Sequence, residues 1–207
     1  MAATRGRRRA FDQDEVLEQV TLAFWRSGYD STSMSDLTRI TGVNPPSMYA
    51  AFGDKRALFG QVVGYYQRTY GAFTVRALDE EPTARRAIER MLAEAAVSYT
   101  DSSHPQGCLV ISAASNPTAV SSDVVAQLRE LREAGRDAIE AKIRHDVDEG
   151  VLPSTVDAHG LAVFFAATIQ GMSGQARDGA STTDLERVAE LAMHAWPESS
   201  DARQVAV

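Results

Sequence analysis

The stretch TSMSDLTRITGVNPPSMYAAFGDKRALF, residues 32–59, decides the fold. Ser33 is placed to cap a helix, and Asp36 three positions later can close a capping box on it. Met34, Leu37 and Ile40 then recur at helical spacing. Gly42 follows, where a residue at positive φ ends a helix without a Cβ clash, and Val43 plugs the turn into a core. Asn44 is the next N-cap, with Pro45 at the first helical position, where no N–H is needed. The run from Pro46 to Phe52 gives barely two turns before Gly53 stops it, and Asp54 caps a further helix opening with Lys55. Two short helices around a glycine turn make a helix-turn-helix, whose second helix lies in the major groove of DNA.

Upstream, Asp12 to Ser27 reads as one helix. Asp12, Asp14 and Glu15 fall in its first turn, where the helix dipole favours anions. Val16, Leu17, Val20, Ala23 and Phe24 form an apolar stripe, and Gly28 stops the helix. Trp25 and Tyr29 read as core and staple residues. Before this helix, MAATRGRRRA (1–10) has no apolar periodicity. Its Arg5, Arg7, Arg8 and Arg9 fit either a solvated tail or a basic arm that enters a minor groove or tracks phosphates.

Downstream, a long helix is expected from Asp54 towards Leu78, with Leu58, Phe59, Val62, Val63, Tyr66, Tyr70 and Phe73 at helical spacing. Another opens near Pro82 and runs past Ile88, Met91, Leu92, Ala95 and Tyr99. Residues 101–107 are a loop. CLVISAAS has the composition of a strand, but its helical surroundings argue for a buried helix stopped by Asn116-Pro117. Residues 121–149 are strongly helical, 150–156 form a loop, and 157–175 are apolar almost all round. Such a helix must be buried against two partners. Its Ala166, Ala167, Gly171, Ser173 and Gly174 permit close approach of another helix. A final helix over 183–196 ends at Pro197. The fold class is therefore all-α: a flexible basic arm (1–10), a helix-turn-helix domain (11–56), a helical body (57–197) and a flexible tail (198–207).

The net charge of −7 is unevenly spread. Residues 1–56 hold 8 basic and 7 acidic side chains, a net of +1, so the remainder carries 13 basic and 21 acidic, a net of −8. A basic arm on a near-neutral head, joined to an acidic body, fits DNA contact through one end only. The single cysteine excludes an intrachain disulfide and suggests a reducing compartment. No apolar run is long enough to span a bilayer, and no apolar h-region follows the basic N-terminus, so a cytoplasmic protein without membrane contact is expected. Phosphate loops, nucleophile elbows and paired His–carboxylate motifs are absent, which argues against an enzyme and against a cofactor. His104, Cys108, His145, His159 and His194 lack the spacing of metal ligands. Cys108 follows Gly107 at a possible helix start, near His104. That suits a redox sensor, whereas a lone cysteine in an apolar run suits a buried, inert thiol.

Phe24-Trp25-Arg26-Ser27-Gly28-Tyr29, Gly42-Val43-Asn44, and Ser47 through Phe59 resemble the N-terminal domain of tetracycline-repressor-type (TetR/AcrR) transcription factors. The shared pattern is G-V-x-x-x-S-h-Y-x-x-F-x-x-K-x-x-L-F, where h is apolar, and the close likeness covers residues 10–60. Gly107-Cys108-Leu109 and the turn 176–181 resemble tracts in one group of these regulators. The resemblance favours the DNA-contacting reading of the arm. It implies that Tyr49 donates to one phosphate, that Lys55 neutralises another, and that the helix after Asp54 carries a signal from body to head. By our own reading, Ser33 and Ser35 donate to phosphates, while Asn44, Pro45, Pro46, Ser47 and Arg39 face the bases. Ala50 stands where many relatives place histidine or tyrosine, so this recognition face is less polar than usual.

The resemblance further implies a small-molecule effector held inside the body, with Tyr66, Tyr70, Met91, Tyr99, Cys108, Ile111, Phe164, Phe165 and Gln170 as candidate lining. It implies a homodimer built from the last two helices, with Leu161, Phe165, Ile169, Met172, Leu185, Val188, Leu191 and Trp196 as candidate contacts. A two-fold dimer expects a palindromic double-stranded operator. The implied function is repression relieved by the effector. The alternative is a protein-interaction or small-molecule-binding module without sequence-specific DNA binding, favoured by the apolar recognition face and the acidic total.

Overall fold

A computed structural model describes residues 11–113 and 122–197, and among them the chain forms ten α-helices and no strand. Arg5, Arg7, Arg8 and Arg9, the stop at Asn116-Pro117, and the tail beyond Pro197 lie outside the described residues. The head comprises α1 (Gln13–Ser27), α2 (Met34–Thr41) and α3 (Pro45–Phe52), and α4 (Lys55–Arg68) leads away from it. Asp12 caps α1 by accepting the N–H of Asp14 at 2.9 Å. At its other end the Thr32 hydroxyl donates to the Gly28 carbonyl at 2.8 Å, closing the turn into α2.

The helix expected to continue from Asp54 to Leu78 is broken. Thr69 leaves helical geometry, and Gly71 donates its N–H to the Tyr66 carbonyl at 2.8 Å before α5 (Ala72–Glu80) begins. A Cβ on Gly71 would stand 3.0 Å from the Tyr66 ring, so the chain turns here by folding closely over a buried tyrosine.

The body continues with α6 (Ala84–Thr100), the single turn α7 (Leu109–Ser112), α8 (Ser122–Asp148), α9 (Ala158–Arg177) and α10 (Thr182–Met193). The segment CLVISAAS is thus helical where it is described, with Leu109 fully buried. Helix α6 occupies the middle of the body, packed by α5, α8, α9 and α10. One apolar core runs without interruption from Val16 and Phe24 in the head to Phe165 and Leu185 in the body. Trp25 fastens the two. Its ring meets Tyr66 and Tyr70 edge-on at 5.0 and 5.3 Å and stacks on His104 at 4.7 Å.

Within the single chain, helix α9 buries one side and leaves another open. Phe165, Ile169, Met172 and Ala176 enter the core, but Val163 and Phe164 are 43% and 41% exposed. Ala167, Gly171 and Gly174 continue that open side at helical spacing. On α10, Val188 and Leu191 are exposed as well.

Candidate nucleic-acid interface

The helix-turn-helix is fixed by four caps. Ser33 and Asp36 form the expected box: the Asp36 N–H donates to Ser33 Oγ at 3.1 Å, and the Ser33 N–H donates to Asp36 Oδ2 at 3.1 Å. Gly42 takes the left-handed conformation (φ 68°) that ends α2. Asn44 Oδ1 accepts the Ser47 N–H at 3.0 Å, and Asp54 accepts the Ala57 N–H at 2.8 Å. Leu37, Met48 and Phe52 are buried beneath, so the short helices stand on the core of α1 and α4 rather than on their own propensity.

This leaves Ser35, Arg39, Asn44, Pro45, Pro46, Tyr49 and Ala50 exposed and Ser47 half-buried. Tyr49 is 51% exposed, so its hydroxyl is presented outward while Met48 beside it fills the core. The caps bear on two of the sequence assignments. Ser33 Oγ donates its proton to Asp36 Oδ2 at 2.6 Å, so that hydroxyl is already spent and does not offer a proton to phosphate. Asn44 Oδ1 is likewise spent on the cap, which removes the paired donor and acceptor needed for adenine and leaves only the amide N–H groups. Arg39 pairs with Asp36 at 3.2 Å, yet both side chains stay exposed, and such a pair exchanges readily for another anion. Together, Ser33 and Arg39 hold the Asp36 carboxyl below its usual range.

Lys55 is not extended. Its Nζ lies 4.2 Å from the centre of the Tyr29 ring, and partial burial lowers its pKa somewhat. A groove of about 420 Å³ runs between α1 and α2, with Gln19, Arg26, Ser31, Thr32, Asp36 and Arg39 along it. It brings Arg26 to the side of Arg39, a neighbour that no spacing in the sequence announces.

In the body, the candidate effector residues divide. Tyr66, Met91, Tyr99, Cys108 and Phe165 are buried, and Ile111 is half-buried beside them. The Tyr66 and Tyr99 hydroxyls both hydrogen-bond the Cys108 thiol. The Cys108 N–H donates to Ser173 Oγ at 2.9 Å. Burial raises the pKa of all three titratable groups and keeps them neutral at physiological pH, the thiol included. A protonated, buried thiol is a poor nucleophile, which weighs against redox sensing. Phe164 and Gln170 do not join this cluster: both lie on the exposed side of α9, because neighbouring helical residues point about 100° apart. Tyr70 turns instead towards α1, its hydroxyl 3.3 Å from Glu18.

The candidate dimer contacts divide too. Phe165, Ile169, Met172, Leu185 and Trp196 are buried within the single chain, so they support the α9–α10 pair from beneath. Leu161 is half-buried. Val188 and Leu191 are exposed, and Val163 and Phe164 extend the open face on which Ala167 and Gly171, expected to permit close helix approach, also lie.

Residues 22–62 match the family described as bacterial regulatory proteins, tetR family, and residues 84–192 match the tetracyclin repressor-like C-terminal domain. The chain is 31% identical over 196 residues to the HTH-type transcriptional repressor ComR of Escherichia coli K12, covering 94% of this chain and 93% of ComR. It is 28% identical to the repressor BdcR of the same organism, covering 90% of each. Among solved structures, a cysteine mutant of the TetR family transcriptional regulator CifR, complexed with 26bp double-strand operator DNA, superposes with a TM-score of 0.87. The two are 35% identical, with 92% of this chain and 100% of that one covered. No described helix is long and apolar enough to cross a membrane. With both its helix-turn-helix and its body matched, the chain belongs to the tetR family of transcriptional regulators.

Proposed function

We infer that the protein is a cytoplasmic repressor that binds a palindromic double-stranded operator as a homodimer and leaves it when a small molecule enters the body. Residues 11–56 form the DNA-reading head, 57–197 the effector and dimerisation body. The observation that carries this reading is the recognition helix itself: α3 is capped, seated on a buried Met48 and Phe52, and turns Tyr49 outward ahead of Lys55 at the start of α4. Tyr49, Lys55 and Ser35 are the phosphate contacts, and the arginines of the basic arm share that role. Base reading falls to Asn44, Pro45, Pro46, Ser47 and Arg39. Apolar contacts such as thymine methyls outnumber hydrogen bonds on this face. The polar trio of Tyr66, Tyr99 and Cys108 marks the effector site, since it places three neutral hydrogen-bonding groups inside an otherwise apolar interior.

Selection of bound sequences from a random duplex pool tests the reading. A palindrome is expected, recovered by the native protein and weakened in Tyr49→Phe and Lys55→Ala. Failure to enrich any sequence, in buffer and in cell extract alike, would favour the alternative of an interaction module that no longer reads DNA.

A further inference from the structure

The first turn of α4 is held from outside the head. Arg56 Nε donates to Asp123 Oδ2 at 2.7 Å, and Arg56 Nη1 donates to Gln127 Oε1 at 2.7 Å. Asp123 and Gln127 stand one turn apart on α8, so the guanidinium spans two rungs of one helix face. Two bonds from a planar fork fix direction as well as distance, which a lysine at this position would not do. Arg56 directly follows Lys55, and Gln61 on the same helix donates through Nε2 to the carbonyl of Phe52, the last residue of α3, at 3.2 Å. The first half of α4 is thereby tied to α3 through Gln61 and to α8 through Arg56. Further along α8, Arg132 Nη1 donates to the Val110 carbonyl in α7 at 3.1 Å, two residues from Cys108. One helix thus touches both the edge of the head and the short turn α7 that follows Cys108.

We propose that Arg56, Asp123 and Gln127 are positioning residues for operator binding: through them α8 grips α4 and sets the seat of the recognition helix. The proposal rests on the reading that α3 and Lys55 face DNA. The pair is part-exposed, so its contribution is geometric rather than a large share of stability. A displacement of α7 is passed through Arg132 to α8, and through Asp123 and Gln127 to the turn that carries Lys55. An opposite role for the same contact is neutralisation, with Asp123 withholding Arg56 from a phosphate. The two roles differ in sign. Removing a withholding carboxylate tightens DNA binding and steepens its salt dependence, whereas removing a grip loosens binding at an unchanged salt slope.

Hydrogen–deuterium exchange on the full chain without DNA is the first arm of the test. Asp123→Ala with Gln127→Ala is expected to speed exchange in α3 and the first turn of α4 while leaving α10 unchanged. Unaltered exchange there would overturn the proposal. The second arm uses the operator selected by the native protein. Arg56→Ala and Asp123→Ala are each expected to weaken binding about three- to tenfold, and the double variant no further, because coupled partners are non-additive. Unchanged or tighter binding by Asp123→Ala would also overturn the proposal. If the native protein selects no operator, the DNA reading fails, and the exchange arm still decides whether α8 holds α4.

Discussion

The carboxylate of Asp146, on α8, accepts the N–H of Ala84, the first residue of α6, at 2.7 Å, and both residues are buried. An anion at this point complements the helix dipole and satisfies a donor that has no partner within α6. Lys142, one turn earlier on α8, donates to the Glu81 carbonyl at 2.8 Å just upstream, so α8 holds the entry to the central helix with two side chains. Asp146→Ala leaves the Ala84 N–H buried and unpaired, which is expected to cost roughly 2 kcal/mol. Asp146→Asn, which keeps an acceptor, is expected to lose less. Urea unfolding followed by circular dichroism measures both, and an unshifted midpoint for the alanine variant would show that the bond contributes nothing.

Gly107 and Gly150 have nearly the same backbone angle, φ 77° and 75°, but different room. A Cβ at Gly107 would lie 2.7 Å from the Ser173 carbonyl oxygen and 2.8 Å from Arg177 Cγ, whereas nothing lies within 4 Å at Gly150. Gly150→Ala is expected to cost only the left-handed penalty, roughly 1 kcal/mol. Gly107→Ala adds a collision with the α9 backbone and is expected to cost at least about twice that. Equal thermal shifts in the two variants would show that the loop at 107 retreats from α9 freely.

Phe164 and Phe165 are adjacent and serve opposite sides of α9. Phe164→Arg places a charge on the open face and is expected to give a folded monomer by sedimentation. Leu191→Arg on α10 is expected to do the same. Phe165→Ala empties the core instead and is expected to cost about 3–5 kcal/mol of stability. Persistence of a dimer in Phe164→Arg would remove this face of α9 from the interface.

Asp36, Asp123 and Asp184 each have a carboxyl held below the ordinary 3.8. The chief cause is Ser33 for Asp36, Arg56 for Asp123 and Ser181 for Asp184. A carboxyl lowered on folding contributes stability that is present above its unfolded value and disappears as pH falls through the folded one. These three sites therefore weaken the fold below about pH 4. Ser33→Ala is expected to return the Asp36 midpoint towards 3.8 in a carbon-detected NMR titration. A midpoint that stays low would assign the shift to Arg39.

Cys108 lies under the Tyr66 and Tyr99 hydroxyls, and burial pushes its thiol up. Labelling by an aromatic disulfide is expected to run at least about tenfold slower in the native protein than in urea, since it must wait for local opening. Rapid native labelling accompanied by operator release would restore the redox-sensor reading.

Much of the head was legible because its instructions are local. Ser33 with Asp36, Gly42, Asn44 with Pro45, Gly53 and Asp54 each act within three or four residues, where sequence neighbours are also spatial neighbours. The break at 69–71 escaped notice because the apolar spacing carries straight through it. Its cause is the approach of Gly71 to the Tyr66 ring, a tertiary fact. The periodicity of α9 could not separate core from seam, since Val163, Phe164 and Phe165 are equally apolar. Ser33 shows another limit. A motif names a hydroxyl as useful but does not say that its one proton is already taken. The meeting of Arg56 with Asp123, across 67 positions, leaves no trace in any spacing.

Helix α9 runs for 20 residues, with the Cys108 amide fastened to Ser173 on its inner edge and Phe164, Ala167 and Gly171 along its outer one. A helix of that length moves as a rod, so a displacement imposed on one edge is delivered to the other. In a pair of chains joined along the outer edge, the rod of one subunit forms the wall against which its neighbour rests. On the proposed reading, filling one interior would alter the mechanical support of the second, and the two halves of an operator would be released as a unit rather than in turn.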